Sequence, residues 1–217
     1  MSDIFNEIDE EVRRERLKRL WDRYQLLIVG AAFLIVLGIG GWRGYEWYQN
    51  KQAAEAGGAF QAAMMLSAEG KHAEAEAAFA KVAEKGAAGY RDLARLQAAG
   101  ELALRDPKAA VQAYDALAAD ARMSETFRDL AAVRAGLLLV DTASYEDMRK
   151  RLEPAAAEQR SFRNSARELL ALSALRANDT AAARKWFDQI VGDSTASAGL
   201  RQRIEMLMAL AADNGNS

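Results

Sequence analysis

From Tyr24 to Trp42 the chain carries nineteen consecutive residues without a charge, and the stretch LLIVGAAFLIVLGIGG within it is apolar throughout. As an α-helix this run is about 28 Å long, at about 1.5 Å per residue, against roughly 30 Å of bilayer hydrocarbon. A soluble core helix normally keeps one polar face, and this run has none. Tyr24 stands at one end, and Trp42, Tyr45, Trp47 and Tyr48 cluster at the other. Those are the places where amphipathic rings are favoured at headgroup depth. One membrane crossing over residues 24–48, including its interfacial aromatic flank, is the expectation.

Basic residues set the direction of that crossing. Arg13, Arg14, Arg16, Lys18, Arg19 and Arg23 precede the span, whereas only Arg43 and Lys51 lie in the twenty residues after it. The tail also holds seven acids, but acidic residues contribute little to the positive-inside bias. Residues 1–23 are therefore expected in the cytoplasm and everything past the span outside it. Cleavage as a signal peptide is not expected, because the one small-residue match, Ala54-Glu55-Ala56, lies fourteen residues beyond Trp42. The absence of cysteine excludes a lipoprotein anchor. Gly40 and Gly44 have small-xxx-small spacing, a weak signal in so glycine-rich a segment. The tail itself places Ile4, Ile8, Val12, Leu17, Leu20, Trp21 and Tyr24 at near-helical spacing among charges of both signs. It reads either as an amphipathic helix on the cytoplasmic surface or as a solvated helical lead-in to the span.

Past Ala53 the character changes. Alanine fills 47 of the 217 positions, and no run alternates with period two for long enough to be a strand, so the chain reads as all-α. Helices are expected at about 53–69, 71–85, 88–105, 107–120, 124–140, 144–153, 161–177, 179–191 and 197–212. Asp106-Pro107 is a strong helix start, since the aspartate caps and proline at the first helical position gives up an amide hydrogen the helix does not use. Ser144, followed by Asp147, is a weaker one. Gly57-Gly58 reads as flexibility between the membrane helix and the first repeat.

The helices repeat. Ala75, Phe79 and Val82 recur thirty-five residues later as Ala110, Tyr114 and Leu117, and again as Ala183, Phe187 and Ile190. Each set is spaced by four and then three, as expected where a small residue lets a helix approach its partner. The longer interval before the third set leaves room for an irregular unit, with Met148 and Leu152 as its packing face. Gly70 and Asn178 each stand five residues ahead of the small alanine, where positive φ is least costly.

GKHAEAEAAFAKV, DPKAAVQAYDAL and NDTAAARKWFDQI resemble the second halves of tetratricopeptide repeats. The first halves depart from that pattern: Ala62-Ala63 and Leu170-Ala171 stand where a large aromatic and a glycine are usual. The likeness implies a divergent helical-hairpin solenoid over residues 59–213, its last helix capping the stack. Residues 49–58 would be a juxtamembrane linker and residues 214–217 a disordered tail. The whole layout resembles the YfgM-like family of Gram-negative inner-membrane proteins. That resemblance implies an ancillary subunit of the SecYEG translocon working beside periplasmic chaperones, with translocon subunits, chaperones or exported clients as partners. In repeats of this kind the first helix of each hairpin lines the concave side. Register then assigns Phe60, Met64, Arg95, Leu102, Glu168, Leu172 and Arg176 to a partner-binding groove, with Met64, Leu102 and Leu172 equally readable as core between repeats.

Chemistry is harder to find. The single histidine, His72, comes just after the Gly70 turn, and a metal there would need Glu69, Glu74 or Glu76 as further ligands. A solvated or packing histidine is the simpler reading, and HExxH is absent. No nucleophile has a plausible base, and Glu74 with Glu76 reads as an exposed helix face. No cofactor, metal or catalytic residue is expected. A net charge of −2, from 29 basic and 31 acidic residues, argues against a nucleic-acid partner. The leading expectation is a non-enzymatic, membrane-tethered interaction platform in the periplasm. The rival is a structural scaffold for an envelope-assembly or cell-division complex.

Overall fold

The computed structural model describes residues 3–214. Among them are nine α-helices: α1 (Asp3–Ala68), α2 (His72–Lys85), α3 (Ala88–Ala103), α4 (Pro107–Ala119), α5 (Glu125–Leu139), α6 (Tyr145–Leu152), α7 (Arg163–Arg176), α8 (Thr180–Val191) and α9 (Ala198–Asn214). A short 3₁₀ turn, Glu153–Ala156, comes after α6, and no strand occurs among the described residues. The chain divides into two units between Gln52 and Ala53. Of the tail expected at 214–217, Asn214 ends α9 and the rest lies outside the described residues.

One expected boundary is absent. Residues 49–58 are helical within α1, and Gly57-Gly58 opens no break. A glycine in a helix interior costs about 1 kcal/mol, which weakens a helix without ending it. No proline stands between the span and Asp106. The helix ends where the backbone turns: Gly70 has φ +75°, its amide reaches the Ser67 carbonyl at 2.9 Å, and the Lys71 amide reaches that of Leu66 at 2.9 Å. Asn178 repeats the device at φ 59°, with amides of Asn178 and Asp179 bonded to Leu175 and Ala174, both at 2.9 Å. These turns satisfy carbonyls that a helix end otherwise leaves without partners.

Helix starts coincide with side-chain caps. Asp106 accepts from the Ala109 amide at 3.0 Å with Pro107 at the first position of α4, and Asp179 accepts from Ala182 at 2.9 Å. Ser144 accepts from the Asp147 amide at 3.1 Å while its hydroxyl donates to the Asp147 carboxylate at 2.7 Å.

In the second unit the core is a series of apolar clusters, each drawn from consecutive helices. Ala63, Ala75, Phe79, Val82 and Ala94 join α1, α2 and α3. Leu96, Ala110, Tyr114, Leu117 and Ala135 join α3, α4 and α5. Ala171, Ala183, Phe187, Ile190 and Ile204 join α7, α8 and α9. All nine residues of the recurring triads are buried, at 5% exposure or less. The irregular unit between them buries Met148 and Leu152 completely. Pro154 bears on its shortness: it has no amide hydrogen to continue the α-helical bonding, the chain passes after Leu152 into the 3₁₀ turn, and Ala155 and Ala156 of that turn complete the cluster.

Candidate functional site

Two features stand out, one in each unit. In the first, α1 is long and apolar enough to cross a membrane, and none of its most apolar stretch is buried within the protein. Leu26, Phe33 and Trp42 are 86%, 62% and 72% exposed. Each large apolar side chain left in water forgoes about 1.5–3 kcal/mol relative to burial. An aqueous setting for the whole stretch is therefore very unfavourable. Tyr24, Trp42, Tyr45, Trp47 and Tyr48 are all exposed as well. Gln49 donates to the Tyr45 hydroxyl at 2.7 Å, Gln52 to that of Tyr48 at 2.8 Å, and the Lys51 ammonium sits 5.6 Å from the Trp47 ring centroid. These rings thus carry polar neighbours on the side leading away from the apolar run, as side chains at an apolar-polar boundary do.

In the second unit the seven groove residues have unlike surroundings. Phe60 packs between Phe79 and Tyr90, with ring centroids 5.1 and 5.8 Å away, and so serves the first core cluster. Leu102 lies half-buried against the next cluster, and Leu172 is half-buried on α7. Met64 is 37% exposed, and its sulfur accepts a weak bond from Gln97 at 3.5 Å. The three charged members are already engaged. Arg95 donates to Asp120 at 2.8 Å, and Glu168 accepts two bonds from Arg203 at 2.8 and 3.0 Å. Arg176 donates to the carbonyls of Val140, at 3.0 Å, and Ala143.

Those engagements belong to a wider pattern that sequence reading missed. Arg151 clasps Asp115 at 2.9 and 2.7 Å across 36 residues of chain, Arg203 clasps Glu168 across 35, and Ser67 donates to Glu101 at 2.6 Å across 34. Each separation lies within one residue of the thirty-five between the first two triads, so each bond ties one hairpin to the next. The thirty-five-residue period was the available signal, because stacked repeats bring positions one period apart into register. Glu101 is the most buried acid in this set, 7% exposed, and besides Ser67 it pairs with His72 Nδ1 at 2.8 Å. His72 is thus engaged with an acid on α3, not with Glu69, Glu74 or Glu76. Among the described residues no group of three or more side chains stands as a metal site.

Two carboxylates are strongly biased toward their charged form. Hydrogen bonds from the Arg122 guanidinium and amide, then from Arg95, hold the Asp120 carboxyl far below the usual carboxylate range. Asp193 is held lower still by the Arg163 guanidinium, then by the Thr195 hydroxyl. Burial acts the other way on Asp129, raising its carboxyl, and Arg160 lies 3.1 Å from it. A cleft of about 720 Å³ opens beside the Asp193 network, lined by Glu153, Arg163, Arg167, Trp186 and Gln189. A second, of about 680 Å³, lies among Val111, Asp115, Leu139, Asp147 and Arg151. None of the seven groove residues lines either one.

A family model described as a tetratricopeptide repeat-like domain matches residues 18–212. No curated protein and no solved structure matches the chain.

Proposed function

The chain belongs to the tetratricopeptide repeat-like domain family, whose helical repeats are typically non-catalytic protein-interaction modules, and from that premise we propose a membrane-tethered interaction platform of the bacterial envelope. In this reading α1 crosses the inner membrane once over residues 24–48. Residues 1–23 stay in the cytoplasm and the repeats work in the periplasm. The partners are translocon subunits, periplasmic chaperones or exported clients, and the repeats assist secretion through the Sec channel and handover to chaperones.

The observation that carries this reading is the fully exposed apolar stretch of α1 joined in one chain to helical repeats. The excess of basic residues before the span supports the orientation. Tethering adds function of its own, since it raises the effective concentration of weakly held partners near the channel. Partner contact is assigned to the surface carrying Met64, Leu102 and Leu172. Arg95, Glu168 and Arg176 present fixed charges there, because internal partners already hold them.

The test has two arms. Alkaline washing of membrane vesicles should leave the full-length protein in the membrane, and protease added to spheroplasts should digest its C-terminal bulk. Site-directed crosslinking in cells from position 64 or 172 should then recover translocon or chaperone subunits. Release by alkali or protection from protease sinks the topology. Exclusive recovery of envelope-assembly or division components establishes the scaffold alternative instead.

A further inference from the structure

The cleft beside Asp193 is built from the 3₁₀ turn, the start of α7 and the end of α8, and it contains none of the seven groove residues. Its volume of about 720 Å³ is that of a site for a small ligand or a few residues of peptide. Most of its charge is matched internally. Asp193 accepts two bonds from Arg163, one of them at 2.9 Å, and one from Arg167 at 3.2 Å. Glu153 accepts from Arg149 at 3.2 and 3.3 Å.

Two groups on the lining are left over. Arg167 is only 6% exposed, and its Nε and Nη1 donate to the Ala156 and Gln189 carbonyls, the Asn164 side chain and Asp193. Its Nη2 has no partner among the described residues. Glu158 is exposed and makes no ion pair or hydrogen bond among the described residues. Trp186 lines the same cleft. Its Nε1 donates to the Tyr145 hydroxyl at 2.9 Å and the ring packs against two core clusters, so what it offers the cleft is ring carbon.

These leftovers define what would fill the space. A buried donor without an acceptor costs stability, so Nη2 calls for an oxygen. Asp193, Glu153 and Glu158 all line the cleft, and like charges set together are costly, which favours a neutral carbonyl oxygen over a second carboxylate. Glu158 calls for a cation, and ring carbon suits an aliphatic stem. A lysine or arginine residue within an extended peptide supplies all three.

We propose that this cleft binds a basic residue in an extended segment of a partner protein, with the backbone carbonyl oxygen on Arg167 Nη2, the aliphatic stem against Trp186 and the cation on Glu158. It is a second interaction surface, separate from the one carrying Met64, Leu102 and Leu172, and it does not depend on the membrane crossing.

The experiment titrates the full-length protein, in a neutral detergent, with acetyl-Gly-Gly-Arg-Gly-Gly-amide and with the same peptide carrying citrulline or glutamate in place of arginine. Calorimetry on the unsubstituted chain gives the affinities. Trp186 is the one tryptophan outside α1, so Trp21→Phe, Trp42→Phe and Trp47→Phe together leave it as the sole indole reporter. The arginine peptide should bind about threefold to fivefold more tightly than the citrulline peptide, the effect of one exposed charge pair, and should shift the Trp186 emission. Glu158→Gln should erase that ratio, as should 1 M salt. Glu74→Gln, which alters an exposed acid on α2, should leave it intact. Should the three-tryptophan variant fail to fold, the calorimetric ratio and its loss in Glu158→Gln decide alone. Equal affinity for arginine and citrulline, tightest binding of the glutamate peptide, a ratio that survives Glu158→Gln, an unmoved Trp186 emission in the folded variant, or no heat with any peptide overturns the assignment.

Discussion

The hydroxyl of Tyr90 lies so close to the backbone of Gly57 that a Cβ on Gly57 would stand 2.9 Å from it. Tyr90 in turn packs on Phe60 at 5.8 Å, so the contact joins α3 to α1. The neighbouring Gly58 has nothing within 4 Å of the same position. The glycine pair is therefore a seat for one aromatic ring followed by an open helical position, not a hinge.

The two glycines should respond differently to alanine. Gly58→Ala should stabilise the repeat unit by about 0.5–1 kcal/mol, the usual gain from replacing glycine in a helix interior. Gly57→Ala should show little or none of that gain because Tyr90 must move, and Gly57→Leu should cost about 1–3 kcal/mol. Thermal unfolding of the detergent-solubilised chain, monitored by circular dichroism, separates these outcomes. Equal shifts for the two alanine variants would restore the flexible-linker interpretation.

Phe187 is 1% exposed within the cluster of α7, α8 and α9. Removing a buried phenyl ring leaves a cavity that close packing fills poorly, so Phe187→Ala should cost about 3–5 kcal/mol. Leu137 lies 57% exposed, and Leu137→Ala should change stability by no more than about 0.5 kcal/mol. Urea denaturation curves give both values. A small loss at Phe187 would mean that the triads do not hold the repeats together.

Acid should weaken the protein through Asp193. Its carboxyl is depressed in the folded state by Arg163 and Thr195, whereas an unfolded aspartate titrates near about 4. A depressed carboxyl contributes stability above the unfolded value and loses it as pH falls toward the folded one. The denaturation midpoint should therefore drop from pH 5 to pH 2. Asp193→Asn should be less stable than the parent at pH 7, with the gap closing as the solution is acidified. Asp129 carries the opposite sign, because burial raises its carboxyl, so Asp129→Asn should not narrow the parent's acid loss in this way. Denaturant midpoints measured at each pH decide the matter.

Asn178 holds a left-handed backbone at φ 59° between α7 and α8. Asn178→Gly should be neutral or slightly stabilising, and Asn178→Val should cost about 1–2 kcal/mol, since a β-branched residue is strained there. Comparing the two thermal midpoints tests whether this turn is conformationally demanding or merely exposed.

Much of the fold was legible because it depends on local chemistry and on period. Asp106-Pro107 and Ser144 marked helix starts that the structure caps as expected, and the burial of Ala75, Phe79 and Val82 results from spacings of four and three on a 3.6-residue helix. The candidate surface was less legible. Arg95 and Glu168 looked like charges available to a partner, yet Asp120 and Arg203, 25 and 35 residues away along the chain, hold them.

What the amino-acid order determined by itself was an uncharged run long enough for a bilayer and a thirty-five-residue pulse of small and large apolar residues. Both are properties of a helix considered alone, read along one axis. Only the packed arrangement decided that Gly57 receives Tyr90, that Glu101 gathers Ser67 and His72, and that Asp193 pairs with Arg163. Hydrogen bonds and ion pairs act over about 3 Å, and which groups come that close is set by how whole helices stack, a distance no linear spacing contains.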